Sequence, residues 1–306
     1  MELAVALLRE LGIKHLRTGI SWADFHRPEG KAWYDWQMKA LADAGLHVLI
    51  SIWHTPPSLA QGGVCAGPPR RLEDYADFVG QVIREYGESF QELELWNEPN
   101  NLYKWDFQRF DPRWRKFGEM TRVAAQRARQ RGKTTVLGGM IPVDRQWLEL
   151  MKRYGTLKHI DVVAIHAFPG MWWDEAPDWD QLHSWQGWDQ KIDHIAGKAG
   201  ARPIWVTETG LATWDMAAQQ PGRFESQVER LEAAVTAPTP RLYWYSLIDL
   251  HPERSAIEGF HVDENEYHMG LVTHTRARKP AFEALRRLLG EHRRSPTASE
   301  LQLRTK

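Results

Sequence analysis

The sequence holds a single cysteine, Cys65, among 306 residues, so an intramolecular disulfide framework is excluded. Cys65 lies in a Gly/Pro-rich loop with no helix start beside it, which predicts packing rather than thiol chemistry. No apolar run approaches the roughly 18 residues of a membrane-spanning helix. No basic stretch precedes an apolar core at the amino terminus, so no secretory leader is expected and the chain as written reads as cytoplasmic. An excess of charge is also missing: 39 Lys+Arg stand against 40 Asp+Glu, for a net charge of −1. No global field then favours nucleic acid or an anionic membrane, and a neutral partner is expected. There is no Ser/Gly linker or low-complexity stretch to divide the chain, and 42% hydrophobic content over this length fits one large α/β domain.

What is present in abundance is a repeat. Helical stripes at i, i+3, i+4 spacing occur at Leu3/Leu7/Leu8/Leu11, Met38/Leu41/Ala42, Tyr75/Phe78/Val79/Val82/Ile83/Tyr86 and Trp114/Phe117/Thr121/Ala124/Ala128. Four more follow at Trp147/Leu148/Met151, Ile192/Ile195/Ala196/Ala199, Val228/Leu231/Val235 and Phe282/Leu285/Leu288/Leu289. Between them lie apolar runs suited to buried parallel strands: Lys14–Ile20, Val48–Ile52, Leu93–Trp96, Thr135–Gly138, Val162–Ile165, Ile204–Thr207 and Leu242–Leu247. Eight helices and seven strands predict a TIM-type (β/α)8 barrel that lacks the usual first strand, because Glu2–Leu11 already reads as a helix closed by Gly12. Residues 1–291 are expected to form the barrel. The basic tail 292–306 is expected to be disordered or, through its alternating Glu300–Thr305 segment, to fill the vacant slot.

Two glutamates stand at the ends of strand-like runs, Glu98 in Trp96-Asn97-Glu98-Pro99 and Glu208 in Thr207-Glu208-Thr209-Gly210. In a parallel barrel all strands open their carboxyl ends onto one face, so two carboxylates far apart in sequence meet across one pocket. Facing carboxylates are the equipment of glycoside hydrolysis. Several of the 16 tryptophans follow strands, in Trp105 to Trp114 and in the group Trp172, Trp173, Trp179, Trp185 and Trp188. Their rings suit either stacking on sugar or fixing loops to the barrel, and Trp173 is the candidate sugar contact among them.

The residues resemble the clan A glycoside hydrolases, the barrel families that include family 5 cellulases and family 39 β-xylosidases. The marks are Arg17 and Trp22 in His15–Trp22, the Trp96–Asn100 segment, His166 in Ala164–Phe168, the Glu-Thr-Gly at 208–210, and Tyr243-Trp244-Tyr245. The resemblance implies a retaining β-glycosidase with Glu98 as general acid/base and Glu208 as nucleophile. It further implies that Asn97 binds the sugar 2-hydroxyl, that Arg17 holds Glu208 ionised, and that His54 and His166 bind hydroxyls or orient the glutamates. Trp244 would form the floor of the sugar site. An acid that carries a proton near neutrality needs a raised pKa, which burial beside Trp96 and the charge of Glu208 would supply. Phe168 departs from the pattern, since many clan members carry there a tyrosine that donates to the nucleophile; Tyr103 or Tyr267 would have to substitute.

The expected partner is an oligo- or polysaccharide or a simple glycoside, with no cofactor and no metal. Loops 56–70, 169–188 and 249–269 would wall a pocket and favour exo action. Two other readings compete. A metal-dependent hydrolase would draw on His54, His166, His251 and Asp249, without a characteristic spacing. A non-catalytic carbohydrate-binding protein on a truncated barrel would account for the missing strand and for Phe168.

Overall fold

The structure, a computed structural model, describes residues 1–168, 187–254 and 263–294. Seven parallel strands form one sheet in the order β1 (His15–Ser21), β2 (His47–Trp53), β3 (Glu92–Leu95), β4 (Thr134–Met140), β5 (Val162–His166), β6 (Ile204–Thr209) and β9 (Leu242–Trp244). A two-residue hairpin, β7 (Trp214–Asp215) and β8 (Gln220–Pro221), intervenes. The eight expected helices are all present: α1 (Glu2–Leu11), α3 (Pro28–Asp43), α4 (Glu73–Tyr86), α6 (Arg115–Arg129), α7 (Arg145–Arg153), α8 (Trp188–Ala199), α9 (Phe224–Val235) and α10 (Pro280–Arg294). Two four-residue helices, α2 (Trp22–Phe25) and α5 (Phe107–Phe110), are too short to show a period in sequence. This is a TIM-type α/β barrel whose sheet has seven parallel strands among the described residues. Among the described residues no strand covers the outer edge of β1 or of β9. The tail beyond residue 294 lies outside the described residues.

The chain divides into two compact units. The larger comprises His15–Thr209 and Pro238–Tyr243 and holds the sheet. Its strands run in register from His15 beside His47 to Glu208 beside His166, with β-bulges at Leu137/Met140 and Ile165/His166. The sheet curls on itself, because side chains from distant strands touch: Arg241, just before β9, pairs with Glu92 of β3 at 2.7 Å. Leu49, Val136, Val162, Ala164, Trp205 and Tyr243 pack as one interior cluster. Helices cover the outside; α4, for example, buries Tyr75, Phe78, Val79, Val82, Ile83 and Tyr86 along one face. Helix α7 starts where the Asp144 side chain accepts from the backbone N–H groups of Gln146 and Trp147.

The smaller unit comprises Met1–Lys14, Gly210–Ala237 and Trp244–Lys306. Helix α1 ends at Gly12, whose φ of 66° lets the chain close with backbone bonds to Arg9 and Leu8. Its Leu7 and Leu11 pack with Leu231 of α9 and Phe282 and Leu285 of α10. The expected strand Leu242–Leu247 stops at Trp244. Past it, the backbone of residues 246–249 bonds instead to residues 269–272. Buried within this unit, Lys279 Nζ donates to Asp249 at 2.8 Å, to Thr213 at 3.1 Å and to the His268 carbonyl at 2.9 Å.

Candidate active site

Successive residues of a strand face opposite sides. On β3, Leu93 and Leu95 face the helices, while Glu92 and Glu94 face the interior, where their partners Arg241 and Arg17 lie. Beyond β3 the backbone enters the left-handed region at Trp96 (φ 80°) and at Glu98 (φ 48°). Such conformations cost a non-glycine residue about 1–3 kcal/mol each and persist where surroundings over-determine them. The Trp96 N–H bonds the Ile52 carbonyl at 3.0 Å and its indole N–H bonds the Lys104 carbonyl at 3.1 Å. The ring itself is wedged between Tyr75 and Trp105. Asn100 ties this turn to the loop after β4, accepting from Ile141 N–H at 2.9 Å and donating to the Pro142 carbonyl at 2.7 Å. The result is a rigid segment that fixes the Glu98 side chain.

Glu208 is the fifth residue of β6, and His166 closes β5 beside it in register. His166 Nδ1 lies 2.9 Å from Glu98 Oε1 and 3.5 Å from Glu208 Oε2. One oxygen of each glutamate and this nitrogen all lie within 4.8 Å of one another. Both carboxylates keep a narrow opening, with 13% and 14% side-chain exposure, whereas His166 is wholly buried. Asn101 Nδ2 donates to Glu98 Oε2 at 3.0 Å. Arg17, on β1, ties the floor together: Nη1 pairs with Glu208, Nη2 donates to Asn97 Oδ1 at 2.8 Å, and Nε donates to Glu94 at 2.6 Å. Glu94 Oε1 also accepts from the Thr207 hydroxyl at 2.9 Å and from Gly139 N–H at 3.2 Å. Gly139 is required there, since a Cβ on it would sit 2.2 Å from the His166 ring.

The charges follow from these contacts. Burial alone disfavours the Arg17 cation, but Glu94 and Glu208 outweigh it and hold the guanidinium charged. Burial pushes the Glu98 carboxyl up, yet the hydrogen bond and charge of His166, helped by Lys104 and Asn101, prevail and hold Glu98 below the ordinary carboxylate value. The expectation of a raised pKa at Glu98 is therefore corrected for the free site. The negative charge of Glu208 does not dominate its surroundings, because His166 stands between the two carboxylates.

The structure thus brings together Arg17, Asn97, Glu98, His166 and Glu208. It gives other candidates different surroundings. Trp22 is 2% exposed, stacks on Phe78 at 5.5 Å and donates from its indole N–H to His26, so both its face and its polar edge are used in packing. Trp105 and Trp114 likewise fix loops, donating to Asp111 and to the Pro99 carbonyl. His54 follows β2 with a left-handed backbone (φ 64°) and an edge-on contact to Trp53. On β9 it is Tyr243 that enters the interior cluster, while Trp244 packs on the apolar cluster of the smaller unit. Phe168 is buried with its ring edge-on to His166. Tyr103 is 85% exposed, in a position suited to solvent rather than to a buried carboxylate. Trp173 lies outside the described residues.

Sequence reasoning missed Glu94, Thr207, Gly139 and Asn101. Glu94 had a signal: a carboxylate at an alternate position of a buried strand is almost never left unpaired. For a cation, the described residues gather only Glu98, His166 and Glu208 as a ligand set. His54, His251 and Asp249 do not join it, and Asp249 is paired with Lys279.

No protein-family model and no curated protein matches the sequence. Solved structures do match. A family 39 glycoside hydrolase from Bacteroides cellulosilyticus WH2 superposes with a TM-score of 0.62 at 17% identity over 94% of this chain and 60% of its own. A monomeric β-xylosidase from Caulobacter crescentus CB15 gives 0.62 at 18% identity, over 93% of this chain and 63% of its own. An exo-β-1,4-mannosidase from Opitutaceae bacterium strain TAV5 gives 0.66 at 17% identity, over 94% and 55%. The chain therefore spans about three fifths of the length of the first two. At these identities the likeness is one of fold, and the fold it shares is that of glycoside-hydrolase barrels.

Proposed function

We propose that the chain is a retaining β-glycosidase in which Glu208 is the nucleophile and Glu98 the general acid/base. The observation that carries this reading is that an oxygen of one carboxylate lies within 4.8 Å of an oxygen of the other, both beside His166. Retaining enzymes hold their carboxyl groups about 5–5.5 Å apart, whereas inverting ones need about 6.5–9.5 Å to admit a water. Glycosidase activities in the names of the fold neighbours agree with it.

In the first step a Glu208 oxygen bonds to the anomeric carbon as the glycosidic bond breaks. The bond's electron pair leaves with the aglycone oxygen, which takes a proton from Glu98. In this reading the proton comes from the pair that His166 Nδ1 and Glu98 Oε1 form at 2.9 Å, since Glu98 by itself favours the carboxylate. In the second step Glu98 takes a proton from water, whose oxygen attacks the anomeric carbon and releases Glu208 as carboxylate. In this reading Asn97, whose Oδ1 is held by Arg17, donates from its remaining amide N–H to the sugar 2-hydroxyl.

The test is hydrolysis of aryl β-glucosides, xylosides, galactosides and mannosides by the wild type and by Glu208→Ala. Turnover should vanish in the variant and return with azide as an α-glycosyl azide; a β-configured azide would contradict the assignment. Sugar affinity without turnover, unchanged in Glu208→Ala, would point instead to a carbohydrate-binding protein, a reading that Phe168 in place of a hydroxyl donor favours.

A further inference from the structure

Glu94 is the one charged group under the catalytic pair for which the two-carboxylate mechanism has no use. It is wholly buried, and its two oxygens accept three hydrogen bonds, with Arg17 Nη2 also in ion-pair contact at 2.6 Å. The Arg17 guanidinium and the Gly139 N–H have no capacity to accept, and they present only donors to Glu94. Arg17 therefore stands between two anions, Glu94 and Glu208, with only 12% of its side chain exposed.

The arrangement has a consequence for the covalent step. When Glu208 becomes the ester of the glycosyl-enzyme it loses its charge, and Arg17 loses one partner. A buried cation left alone is costly, because removing one member of a buried pair leaves the other desolvated and uncompensated. We propose that Glu94 is a positioning residue that acts as the standing counter-ion of Arg17, keeping the guanidinium neutralised while Glu208 is esterified. Because Glu94 carries part of the pairing in the free enzyme, the Glu208 oxygen is also less firmly held and freer to attack. The inference rests on the retaining mechanism proposed above.

The experiment is trapping with 2,4-dinitrophenyl 2-deoxy-2-fluoro-β-glucoside and -xyloside, which separates formation of the glycosyl-enzyme (inactivation) from its hydrolysis (reactivation). Glu94→Gln keeps the shape and a hydrogen bond to Arg17 while removing the charge. It should slow inactivation and speed reactivation, each by about tenfold, because the intermediate, in which Glu208 carries no charge, is destabilised most and the transition states on either side of it, in which that charge is partly lost, about half as much. Glu94→Asp, which keeps the charge, should move reactivation back toward the wild-type rate. In an Arg17→Met background, where no cation remains to be stranded, Glu94→Gln should no longer speed reactivation, and this double variant removes Arg17 and Glu94 together, so that neither is left buried without the other if the single one folds poorly. A merely structural role would slow both steps together, and that result, or two unchanged rates, would overturn the proposal while leaving the retaining mechanism intact. A wild type that turns over aryl glycosides yet is never trapped would remove the covalent intermediate, and with it both readings.

Discussion

Replacing Gly139 by alanine puts a methyl group where the His166 ring already is. The added Cβ would lie 2.2 Å from both Cδ2 and Nε2 of the imidazole and 2.8 Å from the Thr207 hydroxyl. Ordinary carbon contacts begin near 3.5 Å, so something must give by about 1.3 Å. The ring is wholly buried, so any retreat displaces its neighbours. Two effects are expected. Overpacking of this kind costs about 1–3 kcal/mol of stability. A shift of the ring by about 1 Å also breaks its 2.9 Å bond to Glu98, and misplacement of a catalytic group on that scale costs about 100-fold in turnover. The assay is kcat/KM on the aryl β-glycoside that the wild type prefers, beside urea unfolding of the same samples. Gly197→Ala in α8 is the control, since a Cβ there meets nothing within 4 Å and should leave turnover unchanged. Loss of stability in Gly139→Ala with wild-type turnover would refute the role of His166 in holding the Glu98 proton; loss of neither would refute the packing itself.

Three further outcomes are expected. Glu98→Ala should retain more activity on substrates with activated leaving groups than on alkyl glycosides, because it removes chiefly the proton donor; equal losses in a leaving-group series would count against the role. The Glu98 carboxyl is held below its ordinary value of 4.5, so its contribution to stability is complete above that pH and lost as the pH falls through the lowered folded value. Urea unfolding across this acid range should therefore show a shallower loss for Glu98→Gln than for the wild type, and identical slopes would contradict the sign. In the smaller unit, Lys279→Met strands the buried Asp249 and should cost about 3–5 kcal/mol in urea unfolding, most of it recovered in Lys279→Met/Asp249→Leu.

The catalytic candidates were legible where chemistry and strand ends coincide. Glu98 and Glu208 end runs whose apolar character marks them as buried strands, so a carboxylate at that place has to face the open end of the sheet. Arg17 was legible for a related reason, as a cation on a strand otherwise fit for the interior. Trp22 was not: its indole is equally suited to a sugar face and to Phe78, and only the position of α4 decides between them. Glu94 escaped because Leu93–Trp96 was read as an apolar run from its leucines and tryptophan, although Glu94 occupies the interior face of the strand Glu92–Leu95. The register of β9 was likewise open until Tyr243 was seen in the interior cluster and Trp244 outside it.

The sequence alone determined the kind and order of the main elements, eight amphipathic helices and seven buried strands, because hydrophobic period is a local property; the short α2, α5 and the β7–β8 hairpin carry no such period. It also determined which two carboxylates stand at strand ends. The charge state of the site was decided by tertiary structure alone. Coulomb and hydrogen-bond energies act over a few ångströms, and only the curled sheet brings His166 to 2.9 Å from Glu98 and puts Arg17 between Glu94 and Glu208. Those approaches turn the expected raised acid into a carboxyl held below its ordinary value beside a histidine.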